Sequence, residues 1–205
     1  MTEKGQVSEQ KGRTYEREWY TSEEVLNLLG FTSSDAPSAV RNHALFYLLW
    51  QTGLRVDEAL QLRPSDVDLV SRDIFVRHGK GDKPRHVAMM KKTVPEIQRW
   101  ITARDTLDLP ARATLFCTLR GTPLKYSYVR ATLIRLAKRA SWTKRPHVHG
   151  LRHTYAVEMM RKNQSPAFIQ RQLGHTDLTI TTVYLSSITS GDIAASIADL
   201  DFEDD

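Results

Sequence analysis

The strongest constraint on this chain is the place where its helical pattern gives way to a strand-like one. Apolar residues recur at three- and four-residue intervals in a succession of segments from about residue 22 onward, a spacing that puts them on one face of an α-helix. The exceptions are residues 73–78 (Asp73-Ile-Phe-Val-Arg-His78) and 85–89 (Arg85-His-Val-Ala-Met89), joined by Gly79-Lys-Gly-Asp-Lys-Pro84. Two short β-prone stretches around a glycine-rich connection predict a β-hairpin with an exposed tip. The expected fold is therefore α+β and mostly helical, with a small antiparallel hairpin or three-strand sheet beside it.

Punctuation places the helices. Thr21-Ser-Glu-Glu24 is a capping box opening a short helix that Gly30 would stop. Ala39, Ala44, Leu45, Leu48 and Leu49 mark a core helix closing at Thr52-Gly53, and a short helix over 55–62 ends at Arg63-Pro64. Further helices are predicted over 94–103, 126–140, 149–160, 165–173, 181–185 and 191–200. Residues 1–18 are expected to form a flexible tail, 19–190 one domain, and 191–205 a C-terminal helix and acidic tail.

Composition narrows the setting. A single cysteine, Cys117, permits neither an intramolecular disulfide nor a thiolate metal cluster, which suits a reducing, cytoplasmic compartment. The first twenty residues are polar and charged, and no apolar stretch approaches bilayer length, so neither secretion nor a membrane partner is expected. Net charge is +5, yet five acids (Asp199, Asp201, Glu203, Asp204, Asp205) crowd the last seven residues and leave a body of +10. A basic body suits a polyanion such as double-stranded DNA.

Five short motifs stand in order: Thr52-Gly-Leu-Arg55, Gly79-Lys80-Gly, His149-Gly-Leu-Arg152, Leu173-Gly-His175 and Tyr184. They hold what phosphodiester cleavage without a metal requires, namely an oxygen nucleophile, cationic donors for the non-bridging oxygens and an acid for the leaving hydroxyl. Tyr184 Oη is suited to attack phosphorus, and the resulting phosphotyrosine stores the energy of the broken bond. Arg55 and Arg152 are suited to the phosphate oxygens, because a guanidinium fork donates parallel bonds and keeps its charge. His149 and Arg152, three residues apart on a helix, share a face.

In order and spacing these motifs resemble the catalytic signature of the tyrosine recombinases, over roughly residues 20–188. The resemblance implies that family's catalytic-domain fold and site-specific DNA recombination through a 3′-phosphotyrosine, without a cofactor. It makes Lys80 the acid for the leaving 5′ oxygen, His149 an acid/base toward the tyrosine, and His175 a hydrogen-bond donor to the phosphate. It further implies a tetramer assembled on two DNA sites, with room for an accessory DNA-bending or directionality protein, in the nucleoid-associated cytoplasm. Two other readings on this scaffold are a type IB topoisomerase-like relaxing enzyme and a non-catalytic DNA-binding regulator. Members usually carry an N-terminal DNA-binding domain of about a hundred residues. Almost nothing precedes the catalytic part here, which suggests either a naturally short recombinase, similar in size to the fimbrial-switch invertases, or a fragment. Asp57 and Val148 also depart from the small polar residue and the proline common at those places.

Each residue also has a plainer reading. Glu58, at i+3, is a ready salt-bridge partner for Arg55; Lys80 competes with Lys83 as turn charge; Tyr184 fits an ordinary half-buried helix position. His147, His149 and His153 crowd together, but the segment lacks the carboxylate or thiolate ligands that a zinc site of this type needs. His147 is expected in the loop entering the helix and His153 in packing, while His43, His78 and His86 have no partner readable from the sequence.

Overall fold

The computed structural model describes residues 19–79 and 83–174. Helix α1 (Ser22–Gly30) opens with the expected capping box: Glu24 N–H donates to Thr21 Oγ1 at 3.1 Å, and Thr21 N–H donates to the Glu24 carboxylate at 2.7 Å. Helix α2 (Pro37–Thr52) buries residues around most of its circumference, from Val40 to Trp50, and so occupies the centre of the domain. Around it pack α1, α3 (Val56–Gln61), α4 (Val94–Asp105) and α6 (Val148–Arg161). Helix α5 (Tyr126–Arg139) buries one stripe, Val129, Thr132, Leu133, Leu136 and Ala137, against α1 and α6. Helix α7 (Pro166–Leu173) is capped by Ser165 Oγ, which accepts Phe168 N–H at 3.2 Å.

The sheet has three antiparallel strands in the order β1 (Val67–Asp68), β2 (Asp73–Val76) and β3 (Arg85–Ala88), with Ile74 opposite both Val67 and Val87. Ile74, Val76 and Val87 face the core, in step with the two-residue period of a strand. The hairpin or three-strand expectation thus resolves to three; the added strand is only two residues long, too short to carry a period of its own. The other predicted elements within the described residues lie within two residues of their expected bounds. Arg55 caps α3 rather than opening it, and Gly30 ends α1 without entering the left-handed region. The expected helices over 181–185 and 191–200, and the tail over 1–18, lie outside the described residues.

Two apolar clusters hold the fold. The larger surrounds α2 and reaches Trp50, Trp100 and Phe116; the smaller joins Tyr155, Ala156, Val157 and Met159 of α6 to Ile169 and Leu173 of α7. Gln172 fastens α7 to the sheet edge, its amide exchanging hydrogen bonds with Ala88, Nε2 to O at 2.7 Å and N to Oε1 at 3.2 Å. No helix among the described residues is long and apolar enough to cross a membrane.

The turn from α2 to α3 depends on Gly53, whose φ is +65°. A Cβ there would lie 2.5 Å from Leu173 Cδ2 and 2.6 Å from Tyr155 Cδ1. Gly53→Ala combines backbone strain with overpacking and is expected to cost about 3 kcal/mol, measured by urea unfolding monitored through the buried tryptophans.

Candidate active site

Arg55, His149 and Arg152, from two motifs far apart in the sequence, line one cavity of about 190 Å³ together with Asp57 and Tyr126. Lys80, His175 and Tyr184 lie outside the described residues. The chain reaches them from Gly79, at the end of the β2 side of the hairpin, and from Gly174, which caps α7 with φ +64°.

Arg55 is placed by Glu58. One carboxylate oxygen, Oε2, accepts Arg55 N–H at 2.9 Å and Arg85 Nη2 at 2.9 Å; the other, Oε1, accepts Arg55 Nη1 at 2.9 Å and Arg85 Nη1 at 2.8 Å. Burial by itself would raise the Glu58 carboxyl. The hydrogen bonds and charge of Arg85, joined by the Arg55 backbone N–H and charge, outweigh it and hold the group below the ordinary carboxylate range. The plain reading of Arg55 as salt-bridged at i+3 is therefore correct, and it coexists with a place in the cavity. Arg85 was missed: on a strand next to Lys83-Pro84 it looks like surface charge, and its partner is 27 residues away.

Arg152 is 2% exposed. Nη1 donates to the Gly53 carbonyl at 2.6 Å and Nη2 to the Leu173 carbonyl at 2.7 Å. These are the carbonyl ends of α2 and α7, where unfilled acceptors and the negative pole of the helix dipole favour a cation. One side chain thus ties together the Thr-Gly-Leu-Arg, His-x-x-Arg and Leu-Gly-His segments.

His149 is exposed on the first turn of α6, its ring edge-on to that of His153 at 4.6 Å. His153 is buried, in keeping with a packing role, and His147 is the N-cap residue. Among the described residues no group of three or more histidine, cysteine or acidic side chains is placed to hold a metal ion. His43 and His86 do have partners: His43 lies between Thr32 Oγ1 at 2.8 Å and Glu96 at 3.1 Å, and His86 lies 2.5 Å from Asp73. Sequence reasoning also missed Tyr126, exposed at the cavity mouth on the first turn of α5. Tyr155 is buried, and that burial, opposed by a hydrogen bond with Gln172, pushes its hydroxyl up to about 12.

The model of the phage integrase family matches residues 18–190. Tyrosine recombinase XerC of Bacillus pumilus (strain SAFR-032) is 36% identical over 168 residues, 79% of this chain and 54% of that protein. The chain thus spans about half the length of the curated relatives it matches. Among solved structures, XerA recombinase superposes with a TM-score of 0.77 at 29% identity, covering 90% of this chain and 66% of that one. XerH recombinase bound to palindromic difH substrate in a post-cleavage complex has a TM-score of 0.76 at 26% identity, covering 93% and 56%.

Replacing the carboxylate that two guanidinium groups share should be costly. Glu58→Gln is expected to lower stability at neutral pH by about 3 kcal/mol. Because folding depresses the Glu58 carboxyl, its contribution is present above the unfolded value of about 4.3 and is lost as pH falls through the lower folded value. Urea unfolding at pH 7 and at about pH 3 should therefore show a smaller acid-induced loss in the variant than in the wild type.

Proposed function

This chain belongs to the phage integrase family, and we propose that it is a site-specific tyrosine recombinase that cleaves and rejoins DNA strands through a 3′-phosphotyrosine at Tyr184. The observation that carries the proposal is the convergence of Arg55, His149 and Arg152 on one cavity. Its support is chemical: two guanidinium groups and an imidazole are the groups that an attacked phosphodiester needs close by. Arg55 and Arg152 take the non-bridging oxygens, with Arg152 anchored by the Gly53 and Leu173 carbonyls. His149 accepts the tyrosine proton during attack and returns it on rejoining. Lys80 protonates the leaving 5′ oxygen and His175 donates to the phosphate.

The partner is double-stranded DNA, drawn to the basic body and positioned by phosphate contacts, with a few base contacts selecting the site. Recombination, as against relaxation or mere binding, has the support of relatives named as recombinases and of a fold neighbour solved on its own recombination substrate. Exchange between two sites calls for four protomers on two duplexes, in the cytoplasm beside the DNA, with an accessory DNA-bending or directionality protein where the sites require one. The catalytic unit is residues 19–190, with 1–18 as a lead and 191–205 as a C-terminal helix and acidic tail.

Covalent trapping on nicked duplexes tests the nucleophile. Wild-type protein is expected to leave a protease-sensitive shifted band on a denaturing gel, and Tyr184→Phe none; an adduct with Tyr184→Phe overturns the assignment. Confinement of the adduct to particular sequences is expected of a recombinase, whereas indifference to sequence points to a topoisomerase. Arg55→Lys keeps a cation beside Glu58 but loses the fork, so DNA affinity should hold while cleavage falls about a hundredfold or more. Arg152→Lys should lose cleavage as well and, with its two carbonyl bonds weakened, also lower the melting temperature in a thermal scan.

A further inference from the structure

Tyr20 stands at the entrance to the described fold, and no motif draws attention to it. It is fully buried, with its ring 4.3 Å from that of Trp142, centroid to centroid. The same ring lies against the backbone of α6 at Gly150, where a Cβ would come within 2.5–2.8 Å of Tyr20 Cε2, Cζ and Oη. The Tyr20 hydroxyl accepts the N–H of His147 at 2.8 Å, and its proton lies between the carbonyls of Arg145 at 3.1 Å and His147 at 3.2 Å. Its backbone N–H donates to Thr154 Oγ1 at 2.9 Å. One residue therefore grips α6 just before its N-terminus, on its first turn and on its second.

A core tyrosine satisfies its hydroxyl wherever a partner is at hand. Here the partners are backbone groups of the loop that leads directly into His149, and the N-cap residue, His147, makes no side-chain capping bond of its own. The first turn of a helix is its least constrained, because its N–H groups have no partners within the helix. His149 is exposed on that turn, its ring edge-on to that of His153, and its place follows the backbone that carries it. Arg152, one turn further in, is fixed separately by Gly53 and Leu173.

We infer that Tyr20 is a positioning residue that sets the first turn of α6 and so places the His149 imidazole at the cavity shared with Arg55 and Arg152. The inference rests on the functional reading proposed above. Its consequence is a selective one: loss of the hydroxyl displaces the acid/base and leaves the phosphate-binding cations in place. A misplacement of about 1 Å is enough to slow a chemical step up to a hundredfold.

The test is Tyr20→Phe, which keeps the ring and removes only Oη. The melting temperature should stay within about 5 °C of wild type and DNA affinity within about twofold, while single-turnover cleavage at saturating DNA falls about tenfold. Added to His149→Ala, the same change should cost little more, since a residue acting through His149 has nothing left to act on. Independently of activity, the His149 ring signals in ¹H–¹⁵N spectra should move. Unmoved ring signals overturn the inference, as does an equal loss of rate in the presence and absence of His149. If wild-type protein forms no adduct at all, the functional reading falls, and the ring signals still decide whether Tyr20 positions His149.

Discussion

The arrangement depends first on a buried cation, Arg152, whose guanidinium reaches the carbonyl ends of two helices. Arg152 is almost inaccessible, and its Nη1 and Nη2 donate to the carbonyls of Gly53 and Leu173. A carboxylate in their place would stabilise the guanidinium but cancel its charge, and a buried neutral pair has little left to offer an anion. Carbonyls at helix ends do part of the work of solvation and leave the positive charge intact. The same contact joins the ends of α2 and α7 to α6, so the fold and the charge of the cavity are established together.

Arg55 is held by a different device to similar effect. Glu58 does carry a charge, but it divides that charge between Arg55 and Arg85, so the trio keeps a net positive charge. Arg85 begins β3 and Glu58 sits on α3, which makes the ion cluster a joint between the helical body and the root of the hairpin. Lys80, assigned as the acid, belongs to the connection between β2 and β3. The hairpin is thus anchored to the cavity at its base by buried charge.

Close approach rather than propensity decides the local geometry. The left-handed Gly53 lets the chain turn from α2 into α3 beneath Tyr155 and Leu173, and Gly150 lets the Tyr20 ring lie flush against the helix that bears His149 and Arg152. Gln172, by imitating a strand backbone toward Ala88, holds α7 where its terminal carbonyl meets Arg152. None of these contacts involves a residue assigned to bond-making, yet each determines where such a residue stands.

Interactions that depend only on neighbours along the chain could be read from the sequence: the Thr21–Glu24 capping box, the helical faces, the hairpin, the shared face of His149 and Arg152, and the i+3 pair of Arg55 and Glu58. The order of the motifs carried the family as well, because spacing along a chain survives as spacing along helices. The sequence left undetermined whatever required two distant segments to meet: Arg85 on Glu58, Arg152 on the Gly53 and Leu173 carbonyls, Tyr20 beneath α6, and His43 beside Glu96. Their partners are backbone groups or charges that look alike at every position in one dimension. Only the packing of α2, α6 and α7 decides which of them come within hydrogen-bonding distance, because a short-range bond can select its partner only after the apolar core has brought the two segments together.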